Sequence, residues 1–104
     1  MNDLGSHKEM STHIRRVLIE ALKPRDAALI ELSQTICSVD GVEECDITVT
    51  DVDAKTETIR LTLRGPNIEY NEMLKVLHDH GVSIKGVDEI NITKAKKPIQ
   101  KLPT

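Results

Sequence analysis

The stretch DITVTDVDAKTETIRLTLRG, residues 46–65, carries two runs of alternating apolar and polar residues, separated by a short polar turn. A period of two is typical of a β-strand with one buried face and one polar face. The short turn between the runs predicts a hairpin. The apolar positions are Ile47 and Val49 in the first run, which Cys45 extends by one position before the stretch, and Ile59, Leu61 and Leu63 in the second.

Segments on both sides of this hairpin supply two more strands and two helices. Apolar residues recur at helical spacing in two of these segments, and Asp26 is placed to cap the first helix or to lie in its first turn. The predicted elements are a central strand at 13–22, a helix at 25–39, a helix at 67–81 and a strand at 82–93 that is irregular at Gly86.

The resulting order, β-α-β-β-α-β, predicts an α+β protein with the ferredoxin-like sandwich fold. With right-handed crossovers, the four strands form an antiparallel sheet of order 4-1-3-2, and both helices cover one face. The domain spans residues 13–93. We expect residues 1–12 to be a flexible leader and residues 94–104 to be a flexible basic tail.

Charge is distributed unevenly along the chain. Residues 13–93 contain nine Lys or Arg against fifteen Asp or Glu, a net −6, whereas residues 94–104 contain four Lys and no acid. An acidic body repels a phosphate backbone. The polar sheet face also lacks the aromatic side chains on which this fold stacks RNA bases, since Tyr70 is the one aromatic residue in the chain. We therefore expect no nucleic-acid partner.

The sequence also limits the compartment. No apolar run reaches the roughly 18–20 residues that cross a bilayer, and the first residues carry no apolar stretch of a secretory signal. We expect a cytoplasmic protein with no membrane partner. In a reducing compartment, Cys37 and Cys45 are expected to be free thiols, with Cys45 in the core.

Asp51, Asp53 and Glu57 flank the hairpin turn and are the candidate metal ligands. Two or three carboxylates with turn carbonyls suit a hard cation such as calcium or magnesium. The alternative is that these acids solvate the hairpin end and neutralise Arg15 or Arg16 on the adjacent strand. Both interpretations remain open on the sequence alone.

A second group of acids lies on the two predicted edge strands. Charges on an edge strand prevent unwanted pairing with another sheet. At a subunit contact, the same acids would instead hold an ion or meet an arginine of a partner. The residues are Glu43, Glu44 and Asp46 on the second strand and Asp88 and Glu89 on the fourth.

Three stretches resemble the domain of unknown function 211 family: IRRVLIEALKP at 14–24, CSVDGVEECDITVTDVD at 37–53 and IKGVDEINI at 84–92. Its members are small archaeal proteins. The resemblance covers about residues 13–93 and implies the ferredoxin-like fold, a homo-oligomer that is a ring of several subunits, and a bound divalent cation. It implies no established activity.

Three functions remain open. The first is a non-enzymatic homo-oligomeric module that binds a divalent cation or a small ligand at a subunit boundary. The second is a regulatory ligand-binding domain of the amino-acid-sensing type, which shares this topology. The third is an enzyme whose active site is completed by the oligomer. We favour the first because no phosphate loop, catalytic triad or paired catalytic acid is evident in the sequence.

Overall fold

A computed structural model describes residues 10–96, and its elements follow the predicted order. They are β1 (Met10–Pro24), α1 (Leu29–Cys37), β2 (Glu44–Val52), β3 (Thr56–Arg64), α2 (Tyr70–Asp79) and β4 (Ser83–Lys96). The strands form one antiparallel sheet in the order β2-β3-β1-β4. The predicted ferredoxin-like α+β fold, with β2 and β4 at the edges, is confirmed. The expected leader and tail lie mostly outside the described residues.

The core lies between the helices and the apolar face of the sheet. Val17, Ile19 and Ala21 of β1 pair directly with Leu63, Leu61 and Ile59 of β3, and all six are fully buried. The helices cover them with Leu32 and Ile36 from α1 and with Met73 and Leu77 from α2. These are the alternating strand positions and helical stripes that the sequence predicts.

The ends of several elements differ from the prediction. β1 begins at Met10 and β4 ends at Lys96, because these two strands pair along their whole length. The first helix begins at Leu29 after an N-cap at Ala28, so the expectation that Asp26 caps it is wrong. The preceding residues form a turn, in which the Ala27 N–H donates to the Pro24 carbonyl at 3.1 Å. α1 has nine residues and α2 has ten, and neither of these described helices is long and apolar enough to span a bilayer.

The β1–β4 pairing is interrupted by three bulges. Arg15 is the extra residue on β1, and Lys85 and Asp88 are extra residues on β4. The irregularity predicted at Gly86 therefore occurs on either side of it. A bulge resets which side chains face which side of a sheet. Because Asp88 is inserted, Val87 and Ile90 both face the helix side although they are three residues apart.

Candidate functional site

The structure separates the three candidate metal ligands at the hairpin end. Asp51 pairs with Thr58, and the next residue, Val52, pairs with Glu57. Successive pairs face opposite sides of a sheet, so the Asp51 and Glu57 side chains point to opposite faces. Asp53 lies beyond β2, where its N–H donates to the Thr56 carbonyl at 2.8 Å. Within residues 10–96, no group of three His, Cys, Asp or Glu side chains is arranged to hold a metal ion. Calcium or magnesium binding by Asp51, Asp53 and Glu57 stays a prediction.

Glu57 instead contacts a buried lysine. The Lys23 side chain is 2% exposed, and its Nζ lies 3.0 Å from Glu57 Oε1. Nζ also donates to the carbonyls of Pro24 at 2.8 Å and Ala27 at 2.6 Å, so all three ammonium hydrogens have acceptors. A buried charge needs such a set of partners. Lys23 continues the apolar face of β1 two residues after Ala21, and this position was the sequence signal for its burial.

The arginines proposed to neutralise the hairpin acids lie at the other end of the sheet. Arg16 pairs with Arg64 in the register, and its guanidinium lies 2.8 Å from the Glu89 carboxylate. Arg64 Nη1 lies 3.1 Å from Asp46 Oδ2 and 3.8 Å from Glu44 Oε1. The interpretation that Arg15 or Arg16 neutralises Asp51 and Asp53 is therefore wrong. Acids of the two edge strands pair with arginines of the central strands instead.

A cleft of about 520 Å³ opens at this same end of the sheet. It lies where β1 bulges, β2 begins and β3 ends. Its charged lining consists of three arginines and two glutamates, and the rest is a glycine, a proline and one side-chain amide. The lining residues are Arg15, Arg16, Arg64, Glu43, Glu44, Gly65, Pro66 and Asn91.

Tight backbone packing fixes the floor of the cleft. The Gly65 N–H donates to the Arg15 carbonyl at 3.1 Å, and the Glu43 N–H donates to the Arg64 carbonyl at 2.8 Å. A Cβ at Gly65 would lie 1.8 Å from the Gly41 carbonyl oxygen, so the chain passes there only because residue 65 is glycine. The Cα positions from which Arg15 and Glu43 extend are therefore held firmly.

The two cysteines are free thiols, and both are partly buried against the core. Burial, together with the negative charges that neighbouring Cys37 and Asp46 carry when ionised, raises the pKa of the Cys45 thiol to about 12. A nucleophilic cysteine reacts as the thiolate. Cys45 is thus held in its unreactive form at neutral pH.

Edge strand β4 exposes an apolar patch on the helix side of the sheet, which we call the β4 patch: Val87, Ile90 and Ile92. Val87 and Ile90 are 43% and 49% exposed, whereas their pairing partners on β1, Ile19 and Val17, are fully buried. Paired residues share a face, so the difference arises because the helices cover β1 and leave β4 open.

A second apolar patch lies at the opposite edge, and we call it the β2 patch. It comprises Ile30, 73% exposed at the start of α1, and Val52, 51% exposed at the end of β2. The chain leaves α1 and enters β2 at one end, so the start of the helix and the end of the strand both lie at the other. Val52 pairs with Glu57, which faces buried Lys23, so Val52 is also on the helix side. Together the two patches contain all five of the large apolar side chains that are markedly exposed among the described residues.

Comparison with known proteins gives a family and a relative. The model of the family DUF211, described as uncharacterized ArCR, matches residues 15–101. The chain is also 28% identical over 91 residues to an uncharacterized protein of the archaeon Methanocaldococcus jannaschii. That alignment covers 88% of this chain and 92% of the relative.

Proposed function

Because the chain belongs to the DUF211 family, whose description assigns no activity, we propose a function from the surface of the protein itself. The protein is a non-enzymatic cytoplasmic module whose copies join head to tail into a homo-oligomeric ring. The observation that carries this proposal is the pair of apolar patches at opposite edges of one sheet. The β4 patch of one copy packs on the β2 patch of the next.

Two different patches favour a ring over a two-fold dimer. A two-fold interface uses one patch twice, whereas a head-to-tail interface joins two different patches and closes into a ring when the rotation permits. The strand residues of both patches lie on the helix side of the sheet, so the β4 patch of one copy can meet the β2 patch of the next while all copies keep the same orientation. The three side chains of the β4 patch lie on one face of one strand, and an exposed apolar patch on a small protein typically marks an interaction surface.

The mode of contact follows from the bulges of β4. Bulges at Lys85 and Asp88 break the regular row of hydrogen-bonding groups that strand addition requires. The neighbouring subunit therefore packs its side chains on the β4 patch rather than extending the sheet. Free thiols at Cys37 and Cys45 are in keeping with a reducing cytoplasm. Cys45, whose raised pKa suppresses the thiolate, is therefore not a candidate nucleophile at neutral pH.

Two variants test the head-to-tail arrangement by light scattering. Ile90→Lys places a charge in the β4 patch, and Ile30→Lys places one in the β2 patch. Both positions are already exposed, so each variant should fold. We expect each variant alone to be a monomer of 11.6 kDa. An equimolar mixture should give a particle of twice that mass, because each variant retains the patch that the other lacks.

Asn91→Lys is the matched control, since it adds the same charge next to Ile90 on the opposite face. This control should keep the mass of the unmodified protein. Two outcomes contradict the proposal. In the first, Ile90→Lys is a monomer but Ile30→Lys keeps the mass of the unmodified protein. This result indicates a two-fold dimer that forms through β4 alone. In the second, the mixture stays monomeric.

A further inference from the structure

We propose that the cleft between Arg15 and Glu43 binds a free α-amino acid. The carboxylate of the ligand lies against the Arg15 guanidinium, and its ammonium lies against the Glu43 carboxylate. This site is separate from the β4 and β2 patches, and the inference does not depend on the ring.

The first argument is the state of the charges around the cleft. Two of its three arginines already have carboxylate partners, Arg16 with Glu89 and Arg64 with Asp46. Among residues 10–96, neither Arg15 nor Glu43 forms an ion pair, although both line the same cleft. The cleft thus presents one uncompensated cation and one uncompensated anion that do not contact each other.

The second argument is which ligands such a lining rejects. A phosphate or a simple carboxylate meets the two glutamates, and like charges in a partly enclosed site cost affinity. A metal cation meets the three arginines in the same way. A zwitterion matches both signs, and the pairing of guanidinium with carboxylate adds a charge-assisted hydrogen bond. A free α-amino acid is a small molecule with both charges on one carbon, and its size suits a cleft of about 520 Å³.

The third argument is that both charged residues extend from a fixed frame. Arg15 is the extra residue of a bulge, a feature that re-aims a side chain and is over-represented beside functional sites. Glu43 is held through its backbone to the Arg64 carbonyl, and Arg15 is held through its own carbonyl to Gly65. The backbone at both residues is already fixed, so only the two side chains have to be ordered when a ligand binds.

Isothermal titration calorimetry of the full chain against each of the twenty standard L-amino acids tests the proposal. We expect at least one to bind. The N-acetyl and carboxamide derivatives of that amino acid should each bind at least tenfold more weakly, because each lacks one of the two charges. Arg15→Gln and Glu43→Gln should each weaken binding of the amino acid about tenfold.

Arg25→Gln is the matched control, since Arg25 lies at the far end of the sheet, where its Nη1 contacts the Asp53 carbonyl. The Arg25→Gln variant should bind the amino acid with the same affinity as the unmodified protein. The proposal is overturned if no amino acid binds at millimolar concentration, or if the N-acetyl derivative or inorganic phosphate binds as tightly as the amino acid. It is also overturned if Arg15→Gln leaves the affinity unchanged. Light scattering on the same samples reports assembly separately, so a failure of ligand binding and a failure of the ring are distinguishable.

Discussion

Replacing Glu57 by Gln removes one partner of the ion pair with Lys23 and keeps the shape of the side chain. At a nitrogen–oxygen distance of 3.0 Å, two unit charges attract by about 5 kcal/mol at an effective dielectric constant of about 20. Removing one partner of a fully buried pair costs about 3–5 kcal/mol, because the other charge is left uncompensated. The Glu57 side chain is 20% exposed and two carbonyls still accept from Lys23, so we expect a smaller loss of about 2 kcal/mol.

Urea denaturation at one protein concentration measures this loss as a lower midpoint with an unchanged slope. The melting temperature should fall by roughly 10 °C, as expected for a domain of this size. Glu44→Gln is the matched control, because the Glu44 side chain is 60% exposed and lies 3.8 Å from its arginine. Its cost should stay below about 0.5 kcal/mol. The double variant Lys23→Met with Glu57→Gln should lose about 1–2 kcal/mol less than the sum of the single variants.

An unfolding free energy for Glu57→Gln that equals that of the Glu44→Gln control would refute this reasoning. The same variant also separates the two roles considered for Glu57. If the carboxylate binds a cation, calcium raises the melting temperature of the unmodified protein and not that of Glu57→Gln. If it serves Lys23 alone, the two proteins differ in stability without calcium and respond to calcium equally.

Three further predictions concern the hairpin acids, a glycine and a thiol. If the hairpin acids bind calcium or magnesium, either ion raises the melting temperature of the unmodified protein, and the double variant Asp51→Ala with Asp53→Ala abolishes this rise. A rise that persists in the double variant places the ion elsewhere. Gly65→Ala should lower the free energy of unfolding by about 3 kcal/mol in urea denaturation, because the new Cβ would lie 1.8 Å from a backbone oxygen. Gly86→Ala should lower it by less than about 0.5 kcal/mol, because no atom lies within 4 Å of its Cβ position. Equal losses for the two variants would contradict the tight packing at Gly65. The raised pKa of Cys45 means that the folded state holds the thiol proton more tightly than the unfolded state does. The stability that the protonated Cys45 contributes is therefore complete below pH 9 and is lost as the pH rises from 9 towards 12. Cys45→Ala should therefore flatten the fall in unfolding free energy above pH 9, and an unchanged slope would show that the thiol titrates normally in the folded protein.

The fold was predictable because its signals are local. Alternation in the hairpin identified which residues of β2 and β3 face the core. Gly81, which has a positive φ, directly follows the C-cap of α2, as is typical of a glycine that ends a helix. The order of six elements then left few topologies, since crossovers have a preferred hand. The edge position of β2 and β4 followed from that topology.

The candidate site was harder to predict because it depends on register and on irregular backbone. The bulge at Arg15 changes which residues of β1 face the cleft, and no local sequence pattern gives its position. The approach of Gly65 to Gly41 joins two loops that are distant in sequence. The burial of Lys23 was not predicted, because a charged residue on the apolar face of a strand is rare unless it is paired. Its partner, Glu57, lies on a different strand, and only the register of β1 and β3 brings the two together.

Light scattering coupled to size-exclusion chromatography, performed on the unmodified chain over a range of concentrations, tests the ring most directly. A closed ring should give one particle whose mass is a whole multiple, three or more, of 11.6 kDa and does not grow with concentration. A particle of 11.6 kDa at every concentration would contradict the assembly proposed from the two apolar patches.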